Sequence, residues 1–186
     1  MIIIGITGTA GSGKGTVVEY LVTKYGFKHY SARAFISEEL MRRDLPQTRE
    51  NMRIVANELR TKYGGSYVAE QLYDRAVKNG GNAVMESLRA TGEVEALRKK
   101  PGKFILLATT ADPKIRYERI IQRNSSTDHI TYEKFLADES AEMNDTSAGG
   151  MNVPGCIAMA DAQLVNNSDL ENLHEQIDKV VAPLLQ

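Results

Sequence analysis

GTAGSGKGT, residues 8–16, decides how the rest of this chain is read. It follows Met1 to Ile6, a short apolar run rich in β-branched residues that reads as a buried strand. It precedes Val17 to Tyr25, which reads as the first helix. Strand, glycine-rich turn and helix are the context in which such a motif becomes a phosphate-binding loop. Gly8, Gly11 and Gly13 let the main chain approach a ligand closely. Successive N–H groups then converge on one concavity, and the new helix adds its positive dipole end. The candidate nucleotide ligands are therefore Gly8, Ala10, Gly11, Ser12, Gly13, Lys14, Gly15 and Thr16. Lys14 would bring an ammonium beside the β- and γ-phosphates. The pattern G-x-x-x-x-G-K is complete, but Gly15 stands where a hydroxyl is usual, and Thr16 supplies it one residue later. Mg²⁺ would then be held mainly by phosphate oxygens, water and a carboxylate, with Thr16 as the hydroxyl candidate.

The 186 residues suffice for one domain with a substantial core, here taken as residues 1–186. Apolar residues make up 42% and charged residues 25%, the balance of an ordinary globular chain. A net charge of −1 gives no reason to expect nucleic acid as a partner. Cys156 is the single cysteine, so no internal disulfide can form, and it reads as a small packed residue. Met1 to Ile6 is too short for a signal segment, and no apolar run reaches the ~20 residues of a membrane span. The cytoplasm is the expected location.

Outward from the loop, Gly26 stops the first helix and Phe27 to Ser31 reads as a second strand, with His29 an ordinary member of it. Helical spacing follows over Ala32–Arg43, Arg49–Tyr63 and Tyr67–Lys78, with Thr48 and Ser66 as caps. A parallel crossover needs only one helix. The surplus marks residues 32–80 as a small helical insert where an acceptor could lie. Asn82–Glu86 and Lys103–Thr109 read as strands, with a short helix, Glu93–Lys99, between them. Asp112-Pro113 starts a helix that runs to Arg123. Residues 124–150 read as a short lid-like segment containing one helix, Thr131–Met143, and residues 144–154 as a loop. Gln163–Val165 is the last strand, and Ser168 or Asp169 caps a final helix, Leu170–Val181. Apolar strands alternating with helices imply a parallel sheet covered on both faces. Ligands in such sheets lie at the carboxyl ends of the strands. The Gly8 loop, Ser31, Glu86 and Thr109 all fall there.

The G-K-G-T ending of the loop resembles the adenylate-kinase branch of the P-loop nucleoside-phosphate kinases. ESLRATGEVEALRKK, residues 86–100, resembles the D-G-x-R…G-E-V-E-x-[LF]-R run of an uncharacterised group of adenylate-kinase-like ATPases found largely in archaea, with Glu86-Ser87 replacing Asp-Gly. DAQLVN, residues 161–166, resembles the ending of that group and of dephospho-coenzyme A kinases. The resemblance implies a three-layer α/β P-loop fold with a five-stranded parallel sheet in the order 2-3-1-4-5. It also implies ATP and Mg²⁺ as cofactors. Lys14, Arg89, Arg119 and Arg123 become the catalytic candidates, Arg119 and Asn166 nucleotide ligands, and Glu86 a metal ligand acting through water. In nucleotide kinases an arginine row flanks the lid; here Arg116, Arg119 and Arg123 lie along one side of a helix. Arg119 and Arg123 are the favoured members, with Asp128 and Glu139 as possible pairing carboxylates. Ser31, Arg33 and Arg42-Arg43 sit where such kinases bind a monophosphate, but only Ser31 keeps the usual pattern.

The function expected on this basis is transfer of the ATP γ-phosphoryl to a nucleoside monophosphate-type acceptor. A dephospho-coenzyme A kinase-like activity is one alternative, and a regulatory ATPase without a small-molecule acceptor is another. A nucleotide donor and a small phosphorylated acceptor are the expected partners, with no membrane and no nucleic acid, and the chain is expected as a monomer or weak homodimer.

Overall fold

β1 (Ile2–Gly8) is the central strand, buried from Ile3 to Gly8, and the other elements are arranged about it. The computed structural model describes residues 1–123, 130–143 and 151–186. Among them, β2 (Lys28–Ser31), β3 (Ala83–Glu86), β4 (Lys103–Thr110) and β5 (Ala162–Val165) complete a five-stranded sheet. Every pairing is parallel and the order is β2-β3-β1-β4-β5, as expected for a three-layer P-loop fold.

Alternation along β1 feeds two cores, because successive side chains of a strand point to opposite faces. Ile4 and Ile6 join Val84, Leu107 and Leu164 under α1 (Lys14–Tyr25) and α9 (Leu170–Val181). Ile3 joins Met85 and Leu106 under the helices of the other face. Those are α2 (Ala32–Arg42), α3 (Arg49–Tyr63), α4 (Tyr67–Asn79), α5 (Thr91–Arg98) and α8 (Val153–Ala158). α6 (Pro113–Arg123) follows β4, and α7 (Tyr132–Met143) packs on it. Asp178 of α9 accepts hydrogen bonds from Tyr20, Lys24 and Tyr25, which pins the far end of α1. The helix that carries the phosphate loop is thus anchored at both ends.

Several boundaries differ from the sequence reading for identifiable reasons. β1 runs on to Gly8 because Thr7 and Gly8 pair with Ala108 and Thr109. α1 begins at Lys14, inside the phosphate loop, rather than at Val17. Ser66 makes no side-chain cap; its hydroxyl donates to Glu70 Oε1 at 2.7 Å instead. Thr48 and Asp169 do cap, accepting from Asn51 N at 3.1 Å and Asn172 N at 2.8 Å. The expected loop after α7 ends at Asn152, whose Oδ1 accepts from Gly155 N at 2.8 Å and starts α8, with Pro154 in its first turn. Of the lid-like segment, residues 124–129 and 144–150 lie outside the described residues, Asp128 among them.

Ser87 follows the carboxyl end of β3 with φ +67°, a left-handed angle that a side chain disfavours. Ser87→Gly removes that penalty, partly offset by a more flexible unfolded chain. The variant is expected to gain about 1 kcal/mol in urea denaturation; an unchanged or lowered midpoint would contradict this.

Candidate phosphate-binding site

The loop joining β1 to α1 owes its shape to buried groups from distant parts of the chain. Ser12 is fully buried, and its hydroxyl lies 2.8 Å from Thr109 Oγ1 at the end of β4. Its carbonyl accepts from Asn166 Nδ2 at 3.0 Å. Asn166 is buried and is itself held by Arg119, which donates to its carbonyl at 2.9 Å and to its Oδ1 at 3.3 Å. The carbonyl of Ala10 accepts from Arg116 Nη1 at 3.3 Å.

Lys14 is half-buried rather than exposed, because its ammonium donates to Gly8 O and Thr9 O, each at 2.9 Å. Those carbonyls keep the charge over the loop mouth, where an incoming phosphate would compete for it. Gly15 faces solvent and Thr16 is half-buried in the first turn of α1.

Glu86 ends β3, beside β1 in the sheet. Its Oε2 lies 3.1 Å from His29 Nε2, so His29 is more than a bystander of β2. That hydrogen bond holds the Glu86 carboxyl below the usual carboxylate range, against the upward push of burial; Lys14 and Arg89 add their positive charge. The carboxylate is thus kept ionised for hydrogen-bond or outer-sphere metal contacts. Among the described residues no group of three or more His, Cys, Asp or Glu forms a metal cage. Two oxygen-bearing side chains, Thr16 and Glu86, match in chemistry only a Mg²⁺ that would keep most of its water and phosphate ligands.

Arg89 lies exposed on the loop after β3, with its guanidinium 3.5 Å from Met151 Sδ and its carbonyl accepting from Asn152 N at 2.6 Å. Glu93 fixes the loop from beneath. Its Oε2 accepts from Arg89 N at 2.9 Å and Ala90 N at 3.1 Å, one half of a capping box that Ala90 cannot complete. Burial pushes the Glu93 carboxyl above its ordinary range, although the two N–H bonds and Arg60 and Arg89 oppose this. A carboxyl raised on folding takes up a proton, so its contribution favours the fold at low pH and is lost as pH rises through the raised value. Glu93→Gln keeps an acceptor for both N–H groups and removes the buried charge. It should therefore melt above the wild type at pH 8, with the gap closing by pH 4, as thermal scans at the two pH values would reveal. A constant gap would sink this account.

The arginine row divides in an unexpected way. Arg116, the member not favoured from sequence, is 4% exposed and makes an ion pair with Glu139 of α7. Arg119 is half-buried against Asn166, and Arg123 is exposed at the end of α6. Asn166, expected as a nucleotide ligand, directs its amide at the loop itself. In the acceptor segment, Ser31 caps α2 by accepting from Ala34 N at 3.4 Å. Arg42 and Arg43 pair with Glu39, and Arg43 also with Glu58. Arg33 is exposed on α2. Cys156 is fully buried and burial pushes its thiol up to about 11, as a packed residue requires.

Thr109, Glu93 and His29 were not singled out for these contacts in the sequence. For Thr109 and His29 the partners are remote: Ser12 and Thr109 are 97 residues apart, His29 and Glu86 57. Glu93 instead meets N–H groups only four and three residues before it, the local signal of a capping glutamate.

Among known proteins, the family model of an AAA domain matches residues 7–135. A UPF0200 protein of Pyrococcus horikoshii is 30% identical, the alignment covering 98% of this chain and 97% of the relative. One from Thermococcus kodakarensis is 33% identical, covering 100% and 98%. Among solved structures, TT1252 from Thermus thermophilus superposes with a TM-score of 0.61 at 24% identity, covering 100% of this chain and 98% of that one. The shikimate kinase of Acinetobacter baumannii, in complex with shikimate, superposes with a TM-score of 0.58 at 14% identity, covering 99% and 92%. These neighbours share the P-loop kinase fold. With an AAA-domain match over residues 7–135 and relatives of this identity along almost its whole length, the chain belongs to the UPF0200 proteins of the P-loop nucleotide kinase-like superfamily.

Proposed function

We propose that this protein is an ATP-dependent small-molecule kinase that transfers the γ-phosphoryl group to a nucleoside monophosphate-type acceptor. The observation that carries the reading is Lys14 seated on the carbonyls of Gly8 and Thr9, at the mouth of a loop braced by Ser12, Thr109 and Asn166. Glu86, beside it at the sheet's carboxyl edge, is held ionised by His29.

In such a reaction an acceptor oxygen attacks the γ-phosphorus while the bond to the bridging oxygen breaks, and negative charge grows on the β-phosphate. Lys14 and the loop amides would stabilise that charge without rearranging, because the loop is already braced. Thr16 and, through water, Glu86 would hold Mg²⁺, which would supply neutralisation of the donor-phosphate charge. Glu86 would hold water of that ion or orient the acceptor. Arg89 would grip an acceptor phosphate at two points. Arg123 would close from the end of α6 and exclude water, while Arg119 would add its positive charge from its seat on Asn166.

A second reading, a regulatory ATPase, draws on one observation. Arg42 and Arg43 in the acceptor segment are engaged by Glu39 and Glu58 rather than presented together. The two readings separate when ATP and Mg²⁺ are supplied with a panel of nucleoside monophosphates, dephospho-coenzyme A and shikimate. Acceptor-dependent ADP release with phosphorylated product supports the kinase. Slow, acceptor-independent phosphate release supports the ATPase. For the kinase, Arg89→Ala is expected to raise the acceptor KM about tenfold or more, the loss of a charge-assisted hydrogen bond. An unchanged KM would remove Arg89 from that role.

A further inference from the structure

We infer that Arg116 and Asn166 are positioning residues that aim two main-chain donors of the phosphate loop, the N–H groups of Gly11 and Gly13, at the bound anion. The inference rests on the nucleotide-binding reading above and assigns it two residues remote from the motif.

The argument starts from peptide geometry. In a trans peptide the C=O of one residue and the N–H of the next point in opposite directions. No cis peptide occurs among the described residues. Whatever draws the Ala10 carbonyl one way therefore sends the Gly11 N–H the other way, and the same holds for the Ser12 carbonyl and the Gly13 N–H. Arg116 Nη1 takes the first carbonyl at 3.3 Å and Asn166 Nδ2 the second at 3.0 Å. Both side chains are buried, at 4% and 7% exposure, so the carbonyls turn toward the protein and the N–H groups toward the open side. Lys14 holds the carbonyls of Gly8 and Thr9, and the Gly13 carbonyl accepts from Val17 N at 3.2 Å. Oxygens that would repel a phosphate are engaged one after another.

Neither buttress can drift. Arg116 donates through Nε to Ala111 O at 2.8 Å and through Nη2 to Glu139 at 2.9 Å, and its guanidinium lies 5.3 Å from the Phe135 ring centroid. Asn166 is oriented by Arg119, which donates to its Oδ1 and so leaves Nδ2 facing Ser12. Both also touch the loop at the residues they aim. A Cβ on Gly11 would fall 2.6 Å from Arg116 O, and one on Gly13 would fall 2.2 Å from Asn166 Nδ2. Arg116 further ties the loop to α7 through Glu139, which makes α7 part of the anion site's frame.

A ligand without a base separates this role from an adenine contact by Asn166. Calorimetric titration of Asn166→Ala and Arg116→Lys with Mg-ATP and with inorganic tripolyphosphate is expected to show both ligands weakened by the same factor, about tenfold for each variant. The titration is run well below each variant's melting temperature, where a purely structural loss leaves affinity unchanged. Weakening of ATP alone would assign Asn166 to the base and overturn the inference, as would unaltered affinity for both ligands. If the wild type takes up neither ligand, the nucleotide reading itself fails and the inference with it. Should the variants not fold, the wild type still decides. Tripolyphosphate must then shift the amide resonances of Gly11 and Gly13, and two unmoved resonances would overturn the assignment.

Discussion

Replacing Lys14 by alanine is expected to lower ATP turnover by about 10²- to 10³-fold, the scale on which one preorganised charge at a developing oxyanion acts. The fold should survive. Lys14 Nζ donates to Gly8 O and Thr9 O, and the net worth of such exchanges with water is about 1 kcal/mol. For a domain of this size that corresponds to a fall of about 2–4 °C in Tm. The two carbonyls stay near the mouth, so water can replace the lysine. Paired measurements of ADP release and thermal melting check both halves of the statement. A large loss of stability with turnover retained would mean that Lys14 is a structural strut and that the loop does not serve phosphoryl transfer.

Gly13→Ala should do the reverse and damage the fold as well as the site. Gly13 has φ +100°, where a side chain is strained, and an added Cβ would meet Asn166 Nδ2 at 2.2 Å. Asn166 cannot simply swing aside, because Arg119 holds it. Backbone strain and overpacking together should cost about 3 kcal/mol, measured by urea denaturation, with nucleotide binding lost. Gly15 is the internal comparison. It lies in the first turn of α1 with nothing within 4 Å of a built Cβ, so alanine there should be neutral or stabilise by up to about 1 kcal/mol. Combining Gly13→Ala with Asn166→Ala should recover the clash part of the loss but not the strain. Strict additivity of the two changes would show that the two residues do not press on each other.

Local information made most of the fold legible. The strand–loop–helix unit at residues 2–25 needs no distant partner to be recognised, since its glycines, its lysine and its apolar run are contiguous. The boundaries of α3 and α9 follow from caps, Thr48 and Asp169, that lie beside the helices they start. What could not be read depends on groups far apart in the chain. Periodicity puts Arg116, Arg119 and Arg123 on one side of α6, but cannot tell which of them α7 will cover. Glu139 and Phe135 decide that, and Arg116 is the one they bury. His29 looked ordinary because its partner, Glu86, reaches it only through the pairing of β2 with β3. α8 went unseen because six residues give too short a pattern, although Asn152 and Pro154 carry its start signals. The acceptor segment is the hardest part to read. Its arginines look like phosphate ligands in sequence, yet Glu39 and Glu58 claim two of them in space.

The lone thiol beneath α8 gives the molecule a built-in gauge of its own breathing. Cys156 is fully covered and its proton is held far above neutral pH, so alkylating reagents meet neither access nor thiolate while the chain stays closed. Labelling can then proceed only through excursions that lift α8 from the sheet, and its rate clocks how often they occur. A nucleotide that tightens the neighbouring framework would slow that clock without any dye, tag or engineered probe.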